Sequence, residues 1–415
     1  MKNSRRGFLG TALRSGLGAG LVLPALAPAS PARRTLSQVA VAEDSSFDPW
    51  VEISRENFAH NVQEISRRVS GRPIFAVIKN NGYGTGVTNV ASALDSRPEV
   101  FGFAVVKLHE AMSLRDAGVR KPILLLGPFD EKNLADVAQR NIMPIVYTPL
   151  GPALDRIAAK LQRPVVVHIC IDTGIGRVGV PYYQAAPLIR DLVARKSTQI
   201  QGTMMTFTED FDFDKEQLRR FSETCAGLES EGIALGKKHA ASSFALFQHP
   251  DAFLDMVRPG MAIYGIYSEN EFRRRTGVLD LRPAISLKAR VIYVKKLRKG
   301  DSAGYERAYK AKEEVWVATV PVGHADGWPR TTVKGAKIRI NGEMYPVVAI
   351  SASHSILEIG REERVKIGEI ASCFDDQPGS RPEDVSESCG ASVYDLTMHL
   401  NALLPRRVVG AKCTN

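Results

Sequence analysis

Cysteine is scarce: Cys170, Cys225, Cys373, Cys389 and Cys413 are the only five in 415 residues, and no two stand in C-x-x-C spacing. That spacing is what a structural zinc site or a redox dithiol needs, so no metal centre is expected. The odd count leaves at least one thiol unpaired. Beyond the first thirty residues no apolar run approaches the ~20 residues that span a bilayer, which argues against stable membrane insertion. Internal repeats and low-complexity tracts are also missing. The formal charge of +10 raises the question of nucleic acid, but Lys2, Arg5, Arg6 and Arg14 account for four of it with no acid among residues 1–29. Elsewhere bases alternate with acids, as in "DEKNLADVAQR", and the clustered basic stripe that phosphate backbones require is lacking. No nucleic-acid partner is expected.

What is present begins with an export signal over residues 1–29. Arg5 and Arg6 in "SRRGFLG" precede a short apolar run, and Ala27-Pro28-Ala29 offers a small-residue cleavage box. Paired arginines point to the twin-arginine route and a periplasmic mature protein beginning near Ser30. Residues 30–47 read as a polar linker.

From residue 48 to 284 short apolar runs alternate with helical patterns. Phe58, Val62, Ile65 and Val69 share one helix face. Strand-like runs follow at 73–79, 101–106, 122–127, 143–148, 164–172, 200–207, 239–243 and 256–260. Continuous rather than alternating apolar strands indicate a sheet covered on both sides. Eight of them interleaved with helices predict an α/β fold, a (β/α)8 TIM-like barrel. From residue 285 to 415 the pattern becomes alternating and β-branched, with glycine turns such as Asn341-Gly342. This predicts a mostly β second domain, with no helix before "SVYDLTMHLNALL".

Barrel enzymes gather their chemistry at the C-terminal strand ends. Lys79 ends the first predicted strand in "FAVIKNNGYGTG", Asp172 and Arg177 follow the fifth, His239 and Ser243 fall in the seventh, and Arg258 in the eighth. An amine, two guanidiniums, an imidazole and glycine-rich turns at one rim suit an anionic, carbonyl-bearing cofactor. A desolvated lysine beside other cations becomes nucleophilic enough to bond such a carbonyl. These features point to pyridoxal 5'-phosphate.

"AVIKNNGYGTG" resembles the cofactor-attachment motif of alanine racemases. "IDTGIGRVGV", "DMVRPGMAIYG", "GDSAGYERAYKA" and "ATVPVGHADGWPR" are similar to further segments of that family. The resemblance implies a homodimeric isomerase that interconverts L- and D-amino acids, with its active site shared across the interface. By it, Lys79 binds pyridoxal phosphate and acts as one acid/base group, and Tyr305 is the opposing base from the partner. Tyr83, Ser243, Gly260 and Met261 match phosphate-binding positions, and Arg177 the residue near the phenolic oxygen. Arg258 matches the arginine at the pyridine nitrogen, and His239 its support. An arginine there disfavours ring protonation, which favours racemisation over side reactions.

Several positions depart from the family pattern. Cys170 stands where a lysine is usual. Thr206 lies near the place of a histidine that backs the tyrosine base. Ser353-His354 replaces an interface Met-Asp pair near substrate, and the phosphate-binding tyrosine of the C-terminal region is not evident around "LNALLPRR". Arg177, Ser353 and His354 are then the candidate substrate contacts. A smaller residue at 353 widens the substrate range beyond alanine, and the acid lost at 354 favours acidic or neutral side chains over basic ones. A D-amino-acid lyase, a biosynthetic epimerase, or a binding relative with weakened catalysis are the alternatives on the same scaffold.

Overall fold

A computed structural model describes residues 47–275 and 277–410 of the chain. The export signal at 1–29 and residues 30–46 of the linker lie outside the described residues.

The first layer is a parallel barrel. Its strands are β2 (Ile74–Val77), β3 (Val100–Val105), β4 (Ile123–Leu125), β5 (Ile142–Val146), β6 (Val165–Asp172), the short β7 (Val180–Pro181), β8 (Thr198–Met204) and β9 (Lys237–His239). They pair in the order β2-β3-β4-β5-β6-β8-β9, with β7 on the side of β6. All four residues of β2 and all five of β5 are buried, as expected where helices cover one sheet face and packed side chains fill the other. The first helix, Arg55–Arg68, starts on a Ser54 side-chain cap and buries Phe58, Val62 and Ile65 along one stripe, matching the periodicity.

Two barrel strands differ from expectation. The seventh ends at His239, so 240–243 leave the sheet as a rim loop instead of continuing it. The eighth, 256–260, is reduced to one parallel bridge between Val257 and Ile74. The barrel still closes, because Phe75 N–H donates to Val257 O at 2.9 Å and Val77 N–H to Pro259 O at 3.0 Å. Pro259 has no N–H and so cannot pair as an ordinary strand residue would.

The second layer contains β10 (Ile285–Arg290), β11 (Tyr293–Leu297), the two-residue strands β12 (Ser302–Ala303) and β13 (Tyr309–Lys310), β14 (Val315–Val320), β15 (Lys337–Ile340), β16 (Glu343–Ile350), β17 (Ser355–Gly360), β18 (Ile370–Phe374) and β19 (Arg406–Val409). Burial alternates along β10 and β17, the mark of strands packed on one face. With β1 (Trp50–Ser54) included, a nine-stranded sheet runs β11-β14-β17-β16-β15-β18-β10-β1-β19. Its member β1 pairs antiparallel with β10, Val51 opposite Leu287, and parallel with β19. The strand that opens the 48–284 segment therefore hydrogen-bonds within the second sheet.

A helix also precedes the one expected near the C-terminus. Pro382–Cys389 carries Pro at its start, Glu383 and Asp384 in its first turn, and a left-handed Gly390 after its end. These are complete stop and start signals, but the segment has too few apolar residues to show a helical period. The following helix is confined to Val393–Met398.

Candidate active site

Lys79 directly follows β2 and Ile78, and the chain then coils the unusual way. Asn80, Asn81 and Gly82 have φ of 55°, 54° and 62°, and Tyr83 has φ 50°. Asparagine and glycine enter this left-handed region at least cost. Glu110, buried on the helix Leu108–Asp116 that follows β3, holds the turn by accepting Asn81 N–H at 2.7 Å, and also accepts Lys107 N–H at 3.1 Å. Gly84 completes it, since a Cβ there would lie 2.0 Å from Thr397 O. The lysine turn thus rests on the C-terminal helix Val393–Met398, and Arg406 Nη2 ties down Gly84 O at 2.8 Å.

Lys79, Tyr83, Arg177 and Ser243 line one cavity of about 460 Å³, together with Arg258, Gly260 and Met261. Arg177 is delivered by the turn after β6, where Asp172 Oδ1 accepts Gly174 N–H at 2.9 Å. Ser243 Oγ accepts Gly260 N–H at 3.0 Å and Ala262 N–H at 3.1 Å. A Cβ on Gly260 would lie 2.4 Å from the Tyr83 hydroxyl oxygen, so only glycine lets this backbone approach the tyrosine.

Arg258 is almost fully buried and spends its donors on the fold. Nη1 meets His239 O at 2.6 Å and His239 Nδ1 at 2.7 Å, and Nη2 meets Met205 O at 2.7 Å. His239 lies behind it, wholly buried, with its other ring nitrogen 2.9 Å from His168 Nδ1. Burial pushes the guanidinium down to about 10, the His168 imidazole down to about 3, and His239 well below its ordinary range. Burial, reinforced by Arg177, also lowers the Lys79 amine, while Glu110 and Glu209 oppose the shift.

The cavity fits a phosphorylated carbonyl ligand. Among the described residues the Ser242 and Ser268 hydroxyls are buried without a partner, and both line it. Two orphan hydroxyls and the Ser243-anchored backbone, beside a cluster of cations, are what a phosphate needs.

The remaining candidates lie elsewhere within one chain. Tyr305, 79% exposed, projects between β12 and β13 and borders a separate groove of about 450 Å³ with His354. Ser353 is exposed and outside that lining. Cys170 and Thr206 do line the Lys79 cavity, and burial raises the Cys170 thiol to about 11, which keeps it protonated.

Besides the Ser242 and Ser268 hydroxyls, sequence reading missed Tyr394 and Glu209 in the cavity. Tyr394 enters from the C-terminal helix, upstream of where a tyrosine was sought, and Glu209 enters from the loop after β8. Ser392, which caps Tyr394 N–H at 3.2 Å, marks the helix start. No local signal marks Glu209. No group of three metal-ligating side chains occurs among the described residues, and no described helix is long and apolar enough to cross a membrane.

Comparison with known proteins agrees with this geometry. Residues 53–268 match the family model for the alanine racemase N-terminal domain, and residues 284–408 match that for the C-terminal domain. An alanine racemase of Clostridium tetani is 32% identical, covering 86% of this chain and 94% of that protein. One from Desulforamulus reducens is 32% identical, covering 87% and 99%. Among solved structures, alanine racemase of Clostridium difficile 630 superposes with TM-score 0.80 at 27% identity, covering 87% of this chain and 96% of that one. A histidine racemase from Leuconostoc mesenteroides gives TM-score 0.77 at 25% identity, covering 88% and 98%.

Proposed function

This chain belongs to the alanine racemase family, and on that premise we propose that Lys79 and the partner subunit's Tyr305 share its proton transfer. The protein is an isomerase, an amino-acid racemase that uses pyridoxal phosphate. When bound, that cofactor draws electrons away from the substrate Cα–H bond and so makes the proton removable. Lys79 would hold it through the amine, with Tyr83, Ser243, Gly260 and Met261 around its phosphate and Arg258 at its ring nitrogen. A lysine amine moves the Cα proton on one face, and a tyrosine hydroxyl on the other. Two opposed groups convert either enantiomer into the other.

One observation carries this reading: a lysine with lowered basicity shares a cavity with two arginines and two unpartnered hydroxyls. Tyr305 is exposed and apart from Lys79 in a single chain, which supports a homodimer whose sites are completed in trans. Incubation with individual L-amino acids in deuterium oxide tests the activity. Exchange at Cα with loss of optical rotation is expected, and retention of the Cα proton and of the rotation would overturn the reading.

The substrate range extends beyond alanine. Exposed Ser353 and His354 place a small residue and an imidazole where the family carries a methionine and an acid, and a relative as similar as 25% bears the name of a histidine racemase. Each buried methylene is worth about 0.8 kcal/mol, or about fourfold in selectivity. Longer chains should gain tens-fold relative to a narrow site, and an alanine preference above roughly 10³-fold over every other substrate would exceed what that estimate allows.

The mature protein acts outside the cytoplasm, exported by the twin-arginine route from residues 1–29. Mass analysis of the periplasmic form should find a start near Ser30. Replacing Arg5 and Arg6 with lysine should strand precursor in the cytoplasm, and unaffected export would exclude that route.

A further inference from the structure

The cavity around Lys79 contains one carboxylate, that of Glu209, among the described residues that line it. The residue is held in an unfavourable backbone conformation, φ 68°, which a non-glycine residue adopts only when its surroundings impose it. The surroundings are specific. Asp214 Oδ1 accepts Glu209 N–H at 3.1 Å, Thr208 N–H at 3.1 Å and the Thr208 hydroxyl at 3.0 Å. Gln217 Oε1 accepts Thr208 N–H at 2.9 Å. Asp214 and Gln217 are both fully buried and brace from beneath a loop whose Thr208 and Glu209 are themselves exposed.

The Glu209 carboxylate itself has no hydrogen bond and no ion pair with any described residue. Its charge is felt by Lys79 and by Tyr394, whose hydroxyl it helps to raise. Partial desolvation at the cavity and the like charges of Asp214 and Glu269 push its own carboxyl upward, against Lys79 and Arg177, although the residue keeps an exposed face in the single chain. An acid meant to neutralise Lys79 or Arg177 in the resting protein would pair with one of them. A cavity built for a phosphate and for a substrate carboxylate gains nothing from a fixed negative charge unless the ligand brings a cation. In a racemase the substrate α-nitrogen is committed to the cofactor, which leaves the side chain.

We propose that Glu209 is a specificity-determining residue that selects amino acids whose side chain carries an ammonium or guanidinium group. The inference rests on the racemase reading and names its substrate class. It revises the expectation drawn from position 354, because the barrel supplies from its own rim an acid that position 354 lacks.

The test compares racemisation of L-lysine, L-methionine and L-glutamate by the holoenzyme and its Glu209→Gln and Glu209→Lys forms. Lysine and methionine have side chains of similar length and differ in charge. The lysine-to-methionine ratio of kcat/KM should fall roughly tenfold in Glu209→Gln, equivalent to about 1.4 kcal/mol, and Glu209→Lys should turn preference toward glutamate. Calorimetry with 6-aminohexanoate and hexanoate, which lack an α-amine, gives a readout free of turnover. The ammonium compound should bind roughly tenfold tighter to the wild type and equally with hexanoate to Glu209→Gln. Ratios unchanged across the three forms would overturn the proposal, as would equal slowing of all substrates, which would place Glu209 in the service of Lys79. Absence of any racemisation by the wild type would defeat the racemase reading itself, a result distinguishable from unchanged ratios with turnover.

Discussion

Arg258 Nη1 lies 2.7 Å from His239 Nδ1, and this contact dictates the protonation of two imidazoles. A guanidinium only donates, so His239 Nδ1 must accept and its proton must sit on Nε2. That proton points at His168 Nδ1, 2.9 Å away, which places the His168 proton on its own Nε2, a buried atom without a partner. Both imidazoles are therefore neutral, and Arg258 meets the cavity as a cation braced from behind.

This arrangement predicts acid lability with a defined sign. Unfolded histidines bind protons below about 6.5, whereas burial holds folded His168 neutral down to about 3. The unfolded chain then binds more protons, so stability is complete above pH 6.5 and falls as pH drops. At pH 5 the loss from this one residue is about 2 kcal/mol. His168→Asn keeps an acceptor for His239 and removes the titration, so its thermal midpoint should depend less steeply on pH between 7 and 5. An unchanged slope in scanning calorimetry would show that the pair does not control it.

Lys79 should react as an amine of lowered basicity. Its burial and the neighbouring Arg177 favour the neutral form, so half-maximal capture of pyridoxal phosphate by the apoprotein should fall below the ordinary lysine value of about 10.4. Lys79→Ala should yield no borohydride-trapped adduct by mass spectrometry. An adduct persisting in the variant would reassign the attachment.

Tyr305 should act on the other protomer's site. Tyr305→Phe should slow turnover roughly 10²–10⁴-fold, the usual weight of one acid/base group. Mixing the inactive Lys79→Ala and Tyr305→Phe forms should restore about a quarter of the sites if random two-fold pairing brings an intact Lys79 to an intact Tyr305. No recovery after subunit exchange, or full activity from a monomer in sedimentation, would contradict this.

Asp214 should matter for stability more than its distance in sequence from the lysine suggests. Asp214→Ala leaves the Glu209 N–H group without its acceptor, and also His249 Nε2, which lies 3.1 Å from Asp214 Oδ2, while Thr208 N–H keeps Gln217 Oε1. Unsatisfied buried donors cost about 1–3 kcal/mol each, so denaturant unfolding should show a loss of several kcal/mol. A change under about 0.5 kcal/mol, the range of ordinary surface substitutions, would mean that the loop finds other partners.

The sequence alone determined the barrel and the place of the lysine. Strands buried on both faces must be continuously apolar, and the run that leads to Lys79 puts the lysine just past the end of β2, at Val77, although the left-handed course of Asn80, Asn81 and Gly82 was visible only in the structure. It also determined the first helix, because Ser54 and the Phe58, Val62, Ile65 spacing act within a few residues of one another. Only the tertiary structure decided what depends on distant partners. His168 and His239 meet across 71 positions, and a histidine among apolar residues looks the same whether paired or not. Glu209 reads as one more surface acid, and although it stays exposed, only the bonds from buried Asp214 to its loop show that it borders the Lys79 cavity. Tyr394 reaches that cavity because Gly84 allows the lysine turn to rest on the C-terminal helix. The pairing of β1 with β10 was equally hidden, since apolar alternation specifies which face of a strand is buried but not which neighbour covers its edge.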